Sequence, residues 1–461
     1  MNRDQTSMKR MNWKKTVNLW VVGAAVVALA AVVAAHNPGY TITDIGMLAG
    51  GGASGATGIN NAGQVVGWSE NSAGDRRAVF WHDGILDKLP TPAGTVSSIA
   101  NAINDAGVIV GSVTFTDGTE HAAMWVNGQF TDLSDFAGLG IGEAERINRV
   151  GIIVGGSIIK PLNESRAIAW VNGVPSIIGT LSGNSAALDI NEKNDIVGWA
   201  EDSNGDKHAF LYENAQQSMN DLGVMPDGLW SVATGINESG VIVGYGEVVG
   251  ETTGVFSFKR DPQTGVMENL GALGSDTSHA FDVNEVPYIV GSSVLLGTGD
   301  LNAVLWRPDK MVNLNSLLLP GSHWDYLIEA KAINDEGLIV GRGVINDEVH
   351  GFILEPVLGM VNPIPGNSSE MNRFDAAGAS PGNTVYFVYG FAWGQTNIPG
   401  CPGKILNIKN PKILATKKAD QIGHAIVDLM VPKAAKNVAV IFQAVEPDTC
   451  EVSAPISWTF H

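Results

Sequence analysis

Four segments of the chain gather side chains of the kinds that hold sugars: AGLGIGEAER (137–146), MPDGLWSVATG (225–235), GSDTSHAFD (274–282) and PGSHWDYLIEA (320–330). Trp230 stands in the second, His279 in the third, and His323, Trp324 and Asp325 sit together in the fourth beside Tyr326. An aromatic ring can stack on the face of a sugar while neighbouring carboxylates accept its hydroxyls. Trp230, His279, His323, Trp324 and Asp325 are therefore the candidate binding residues. For both tryptophans the competing reading is packing between structural repeats. Glycoside hydrolysis would need two carboxylates at a set separation across one bond. Acids are plentiful, but most fall in turns and no pair stands out. No serine elbow, phosphate loop or cysteine nucleophile is present. No catalytic residue is assigned.

Metal chemistry has little to build on. EDSNGDKH (201–208) and SENSAGDRR (69–77) place oxygen ligands at short spacing, but a calcium loop needs more ligands and a distant bidentate Glu. Asn204-Gly205 and Ala73-Gly74 explain both segments as hairpin turns. Calcium at the Asp202–Asp206 turn is the one cofactor for which residues can be named; otherwise neither a metal site nor a cofactor is expected. His121, His208 and His350 occupy one repeat position in different repeats, which reads as structure rather than a metal cluster. Asp189 and Asp282 also match in position, and either face a channel or cap a turn. NES (163–165) and NSS (367–369) fit a glycosylation pattern and read as surface turns.

These residues are carried by a repeat. INNAGQVVG (59–67) returns as INDAGVIVG (103–111), INRVGIIVG (147–155), INEKNDIVG (190–198), INESGVIVG (236–244), VNEVPYIVG (283–291) and INDEGLIVG (333–341). Within residues 55–89, GATGIN, QVVGWS, RRAVFWH and ILDKLP alternate as strands, separated by NNAG, ENSAGD and DG turns. Four short strands in about 45 residues, repeated, make a propeller blade. An alanine precedes the Ile or Val by three residues in every repeat (Ala56, Ala100, Ala144, Ala187, Ala233, Ala280, Ala330), as a crowded inner strand requires. The second-strand glycine (Gly67, Gly111, Gly155, Gly198, Gly244, Gly291, Gly341) predicts close approach of a neighbouring backbone or ring. Two turns break the rule: Asn194 and Pro287 stand where the others have Gly. The last repeat lacks a fourth strand, and YTITDIGMLAG (40–50) resembles the fourth strands elsewhere. The N-terminal strand 40–46 is expected to complete the seventh blade, removing an open edge.

The IN-x-x-G-x-(I/V)-V-G and HAF-type segments resemble the HAF-repeat family of exported bacterial proteins, over about residues 55–355. The resemblance implies an extracellular repeat protein and no established activity or catalytic residue. GFAWGQTNIPGCPG (390–403) and QAVEPDTCEVS (443–453) resemble a small β module at the ends of other exported bacterial proteins.

The remaining composition fits export. Five basic residues precede an apolar run from Leu19 to Ala35, with Val33 and Ala35 at the −3 and −1 positions of a cleavage site. Residues 1–35 are expected to be a signal peptide, with Met1 or Met11 as the start; a retained membrane anchor is the alternative. Cys401 and Cys450, the two cysteines, read as one disulfide. Closing a loop of about 50 residues stabilises by roughly 4 kcal/mol on the entropy argument. The net charge is −19, concentrated between residues 36 and 360, where 39 acidic residues face 15 basic ones. Such a body repels phosphate backbones, so nucleic acid is not an expected partner. The fold class expected is all-β: a seven-bladed β-propeller over 36–355, a linker over 356–369, and a small Ig-like β-sandwich over 370–461. The expected function is non-catalytic binding or scaffolding toward an extracellular protein or glycan, secreted or in the cell envelope. An enzyme acting on extracellular polysaccharide and a cell-surface structural repeat are the alternatives.

Overall fold

The computed structural model describes residues 39–461 apart from 135–138, 160–163, 251–252, 309, 320, 361–362, 364, 381 and 421–422. The expected export segment, residues 1–35, lies outside the described residues. Two compact units divide the chain, one spanning Tyr40–Pro356 and one holding Val357–His461. Both are all-β.

The larger, propeller-like unit consists of seven antiparallel sheets, one per repeat. In the first, Ser54–Ile59, Val65–Glu70, Arg76–His82 and Ile85–Lys88 lie side by side in chain order. The next five keep that order over 95–132, 139–179, 185–223, 231–269 and 274–313. One parallel bridge, Val255 to Thr277, links the fifth sheet to the sixth. The seventh holds Trp324–Ile333, Ile339–Ile345 and Glu348–Pro356, and its outer strand comes from the start of the unit. Tyr40–Asp44 pairs antiparallel with Glu348–Pro356, Tyr40 opposite Pro356 and Asp44 opposite Phe352. Each first strand packs on the next sheet's first strand, and the seventh packs on the first.

Each repeated residue has a separate task. All seven alanines are at most 2% exposed. Just after each one the pairing register slips, which makes a bulge at Thr57, Asn101, Glu145, Leu188, Thr234, Phe281 or Lys331. The carbonyl before the alanine then lies over the second-strand glycine. A Cβ at any of the seven glycines would sit 1.9–2.1 Å from that oxygen. The close backbone thus belongs to the glycine's own sheet. Rings crowd three of the sites as well: Phe210, Phe258 and Phe352 beside Gly198, Gly244 and Gly341.

The asparagine that opens each turn works in two directions. Asn60 Oδ1 accepts from the N–H groups of Ala62 and Gln64, while Nδ2 donates to the Asn104 carbonyl at 3.1 Å. Asn104, Asn148, Asn191, Asn237 and Asn284 each donate likewise to the corresponding carbonyl of the next sheet, at 3.0–3.3 Å. Asn334 donates to the Asn60 carbonyl at 3.0 Å. Seven amides therefore form a closed cycle of hydrogen bonds. Asn194 takes the left-handed conformation, φ +64°, that glycine takes in five other turns. Pro287 has no N–H for the bond that Gly63 makes to the Asn60 carbonyl. That turn keeps the two bonds it shares with the others, Asn284 N–H to the Tyr288 carbonyl and Tyr288 N–H to Asn284 Oδ1.

Further ties join strand to strand and sheet to sheet. His121, His208 and His350 place Nδ1 against Asp132, Asp221 and Asp44 at 2.7, 3.0 and 2.8 Å, binding third strand to fourth. Ser54, Ser98, Ser185, Ser231 and Ser278 each accept, at 2.8–3.0 Å, a backbone N–H from the preceding sheet's third strand.

In the smaller unit, Thr384–Gly390 and Ala439–Glu446 pair at the centre of one sheet, and Met371–Ala377 pairs with Ala425–Met430 in another. Phe374, Phe387 and Phe442 from these elements share one core with Phe460 near the C-terminus. The stretch 356–369, expected to be a linker, contributes to that core. Leu358 is 1% exposed, and Gly359–Met360 pairs with Met371–Ala377. Two apolar side chains with a partner strand to cover bury themselves. Cys401 and Cys450 form the disulfide.

Candidate functional site

The bulge in each first strand is the positioning device. In three sheets the bulged or adjacent positions carry small side chains that serve the scaffold. Thr57 and Thr234 donate their hydroxyls to the Ala100 and Ala280 carbonyls of the next sheet, the latter at 2.9 Å, and Asn101 donates to the Ala144 carbonyl at 3.0 Å. The other sheets place ionisable groups there: Glu145 and Arg146 in the third, Asp189 in the fourth, Asp282 in the sixth, Lys331 in the seventh.

These charges act on one another both between neighbouring sheets and across sheets that are not neighbours. Lys331 of the seventh sheet acts on Glu145 of the third, Asp282 of the sixth on Asp189 of the fourth, and Arg146 on Asp189, Asp282 and Lys331. They converge on the interior shared by the first strands. Burial, reinforced by the Glu143 carboxylate, pushes Glu145 up to about 8 against the pull of Arg146 and Lys331. Burial pushes Asp189 up to about 7; Arg146 opposes the shift and Asp282 adds to it. Asp282 and Glu143 are raised chiefly by burial, and Lys331 is lowered by it.

The scaffold fixes these carboxylates. Asp189 Oδ2 accepts the Ile236 N–H at 2.8 Å and Asp282 Oδ2 the Ile333 N–H at 2.9 Å, each from the next sheet. Arg146 Nε stands 3.9 Å from Asp189 Oδ1. Asp189 and Asp282, expected either to face a channel or to cap a turn, each hold a backbone N–H of the next sheet's first strand. Glu143 accepts from Asn101 Nδ2 at 2.9 Å, and Glu329 pairs with Arg342 Nε at 3.0 Å.

An aromatic run leads to this cluster. Trp230 meets Tyr245 edge-on at 6.0 Å, and Tyr245 meets His279 edge-on at 4.7 Å. His279 lies parallel to Phe281 at 6.3 Å, and Lys331 Nζ sits 3.9 Å above the Phe281 ring. Burial, then the Lys331 ammonium, keep His279 below its usual range, against Glu329.

Two of the candidate residues, Trp230 and His279, thus share one run of rings. The other three lie on the seventh sheet. Trp324 packs edge-on against Phe352 at 5.9 Å and His350 at 6.5 Å. Asp325 is exposed and accepts the Asp347 N–H at 3.3 Å, and His323 is exposed. At the Asp202–Asp206 turn, Asp202 Oδ1 accepts the N–H groups of Asn204 and Asp206 at 2.8 and 3.0 Å, so the turn consumes its own oxygen. Among the described residues, no group of three or more His, Cys, Asp or Glu is placed to hold a metal ion.

Sequence reasoning did not single out Tyr245, Phe281, Lys331, Glu143, Glu145, Arg146, Glu329 or Arg342. All lie within two positions of the repeated alanine or glycine, where the equivalent residues range from small (Gly55, Thr57, Ala186) to large and apolar (Ile99, Leu188, Trp68), and a charge at such a position was the one signal available.

The opposite opening of the first strands is a mouth of about 400 Å³ lined by the asparagine cycle. Its carboxylates also serve the backbone. Glu192, Glu238 and Glu285 accept the N–H groups of Arg149, Glu192 and Glu238 at 2.7, 2.5 and 2.6 Å.

No family model matches the chain, and no curated protein matches it. Among solved structures it is similar to the oligogalacturonate lyase of Vibrio parahaemolyticus, at 10% identity and a TM-score of 0.42, over 68% of this chain and 93% of that one. TolB of Acinetobacter baumannii matches at 11% identity and a TM-score of 0.36, over 63% of each chain. A mutant of AofleA from Arthrobotrys oligospora matches at 12% identity and a TM-score of 0.32, over 60% of this chain and 90% of that one.

Proposed function

We propose that the chain is an exported, closed seven-bladed propeller of HAF-type repeats carrying an Ig-like sandwich, and that it binds an extracytoplasmic glycan without cleaving it. The ligand seat is the interior where the first strands meet. The observation that carries this reading is the aromatic run from Trp230 to Phe281, which ends at the Lys331 ammonium. Rings give stacking faces, while Glu143, Glu145, Arg146 and Lys331 supply donors, acceptors and charges of both signs. That is the equipment for a sugar bearing ionised groups. Calorimetric titration of the full chain with uronate- and amino-sugar oligosaccharides tests it. Saturable binding that Trp230→Ala and His279→Ala each weaken by about tenfold supports the seat. Binding that neither variant touches refutes it, and a protein recovered from the envelope with no glycan response moves the reading to a protein partner.

A second reading, an enzyme acting on extracellular polysaccharide, is favoured by one observation. Burial raises Glu145 to about 8 and Asp189 to about 7, into the range where an acid catalyst works. New chain ends released from a polysaccharide by the parent protein, and not by Glu145→Gln, would establish it.

A further inference from the structure

We propose a second ligand site, for a neutral oligosaccharide, in the groove between the first and second sheets. It lies outside the axial cluster and shares no residue with it. The groove encloses about 630 Å³, within the range of about 300–1,000 Å³ that holds small molecules. Phe80 and His82 from the third strand of the first sheet line one side, and Asp105, Ala106 and Gly107 from the first turn of the second sheet line the other.

What sets this groove apart is a break in the repeat. The strand register makes Phe80 and His82 equivalent to Met124 and Val126, Ala169 and Val171, Leu211 and Glu213, Lys259 and Asp261, Leu305 and Arg307, and Ile353 and Glu355. The first sheet alone carries two rings there. Between Asp105 and Gly107 the turn facing them carries the small Ala106, as the first sheet's turn carries Ala62, whereas the corresponding turns of the third and fourth sheets carry Val150 and Lys193. The same scaffold has aromatic rings on one wall and side-chain bulk removed from the other.

The chemistry is that of a sugar platform. Phe80 and His82 stack at 4.8 Å with 29° between planes. Asp87 lies 3.2 Å from His82 Nε2, fixing the ring by its edge. Rings present faces for the C–H side of a pyranose, and Asp87 and the Asn127 amide border the same space for its hydroxyls. Two carboxylates, Asp87 and Asp105, and one ammonium, Lys88, line the groove. With charges so nearly balanced, nothing there favours a strongly ionised ligand, and the neutral sugar is the fit.

The test titrates the full chain with cellohexaose, maltohexaose and xylohexaose and compares three variants. His82→Ala removes part of the platform. Ala106→Trp fills the groove from an exposed turn without removing a packed side chain, so it keeps the test valid if His82→Ala fails to fold. Saturable binding of at least one hexasaccharide, weakened about tenfold or more by Ala106→Trp and unaltered by Trp230→Ala, is the expected result. Absence of binding by all three probes overturns the proposal. So does binding that Trp230→Ala abolishes and Ala106→Trp leaves intact, which would move the neutral sugar to the axial seat.

Discussion

Glu145 is a carboxylic acid whose pKa rises on folding, from the ordinary carboxylate range to about 8. Between about pH 4.5 and 8 the native chain therefore binds more protons than the unfolded chain, and stability falls as pH rises through that window. Asp189, raised to about 7, adds a change of the same sign. Glu145→Gln should raise the melting temperature only slightly at pH 5 and far more at pH 8.5, there by an amount equivalent to roughly 4–5 kcal/mol. Thermal melts of the two proteins at both pH values check this; equal curves at pH 8.5 would mean that Lys331 and Arg146 fully compensate the buried charge. These side chains were poorly legible in the sequence. Glu145 and Lys331 lie 186 positions apart, and only the bulge turns both toward one interior. Asp189 and Asp282 could be seen as a matched pair, but their reach to the Ile236 and Ile333 N–H groups depends on the stagger between sheets. Trp324, a candidate because of its neighbours His323 and Asp325, has ring contacts across its own sheet, with Phe352 and His350, that only the strand register brings to it.

At the scale of the strand, the sequence was far more informative, because a repeat averages away local accident. Ala56 and its six counterparts, the IN-x-x-G turns and the third strand RRAVFWH all marked real elements. The reason for the glycines was less visible, since it comes from a bulge that no single residue type announces. Gly111→Ala places a Cβ 2.0 Å from the Ile99 carbonyl and should cost more than about 3 kcal/mol, a backbone clash that cannot relax without unpairing the sheet. Gly84→Ala, in an open hairpin turn with φ +80°, should cost only about 1 kcal/mol. Urea unfolding of the two variants separates these cases, and equal losses would show that the bulge yields. The linker expectation failed at the same scale. Prolines at 356, 363 and 365 suggested a spacer, yet Leu358 and Met360 supply the apolar surface that a neighbouring strand covers.

For the molecule as a whole, the larger unit depends on a strand borrowed from its own beginning. Tyr40–Asp44 covers the edge of Glu348–Pro356, Asp44 holds His350, and the Ser54 hydroxyl donates to the Gly46 carbonyl at 2.8 Å. Removing residues 40–46 should lower the melting temperature of the entire larger unit by more than about 5 °C. Calorimetry showing an unshifted main transition would contradict a cooperative ring. Reduction of the Cys401–Cys450 bond, which spans 49 positions, should instead destabilise the smaller unit by up to roughly 4 kcal/mol, visible as a separate transition that moves alone. The asparagine cycle has a further property. Every amide in it donates in the same rotational sense, so the circuit is one-way, with neither a first donor nor a last acceptor. Its bond dipoles run nose to tail and cancel around the loop, while each polarises the next. Replacing any one asparagine takes a donor from the carbonyl of the next sheet, which in six cases keeps the N–H of its own turn. The Asn284 carbonyl, in the turn with Pro287, has no such N–H, so the link from Asn237 is the one whose loss leaves an acceptor bare.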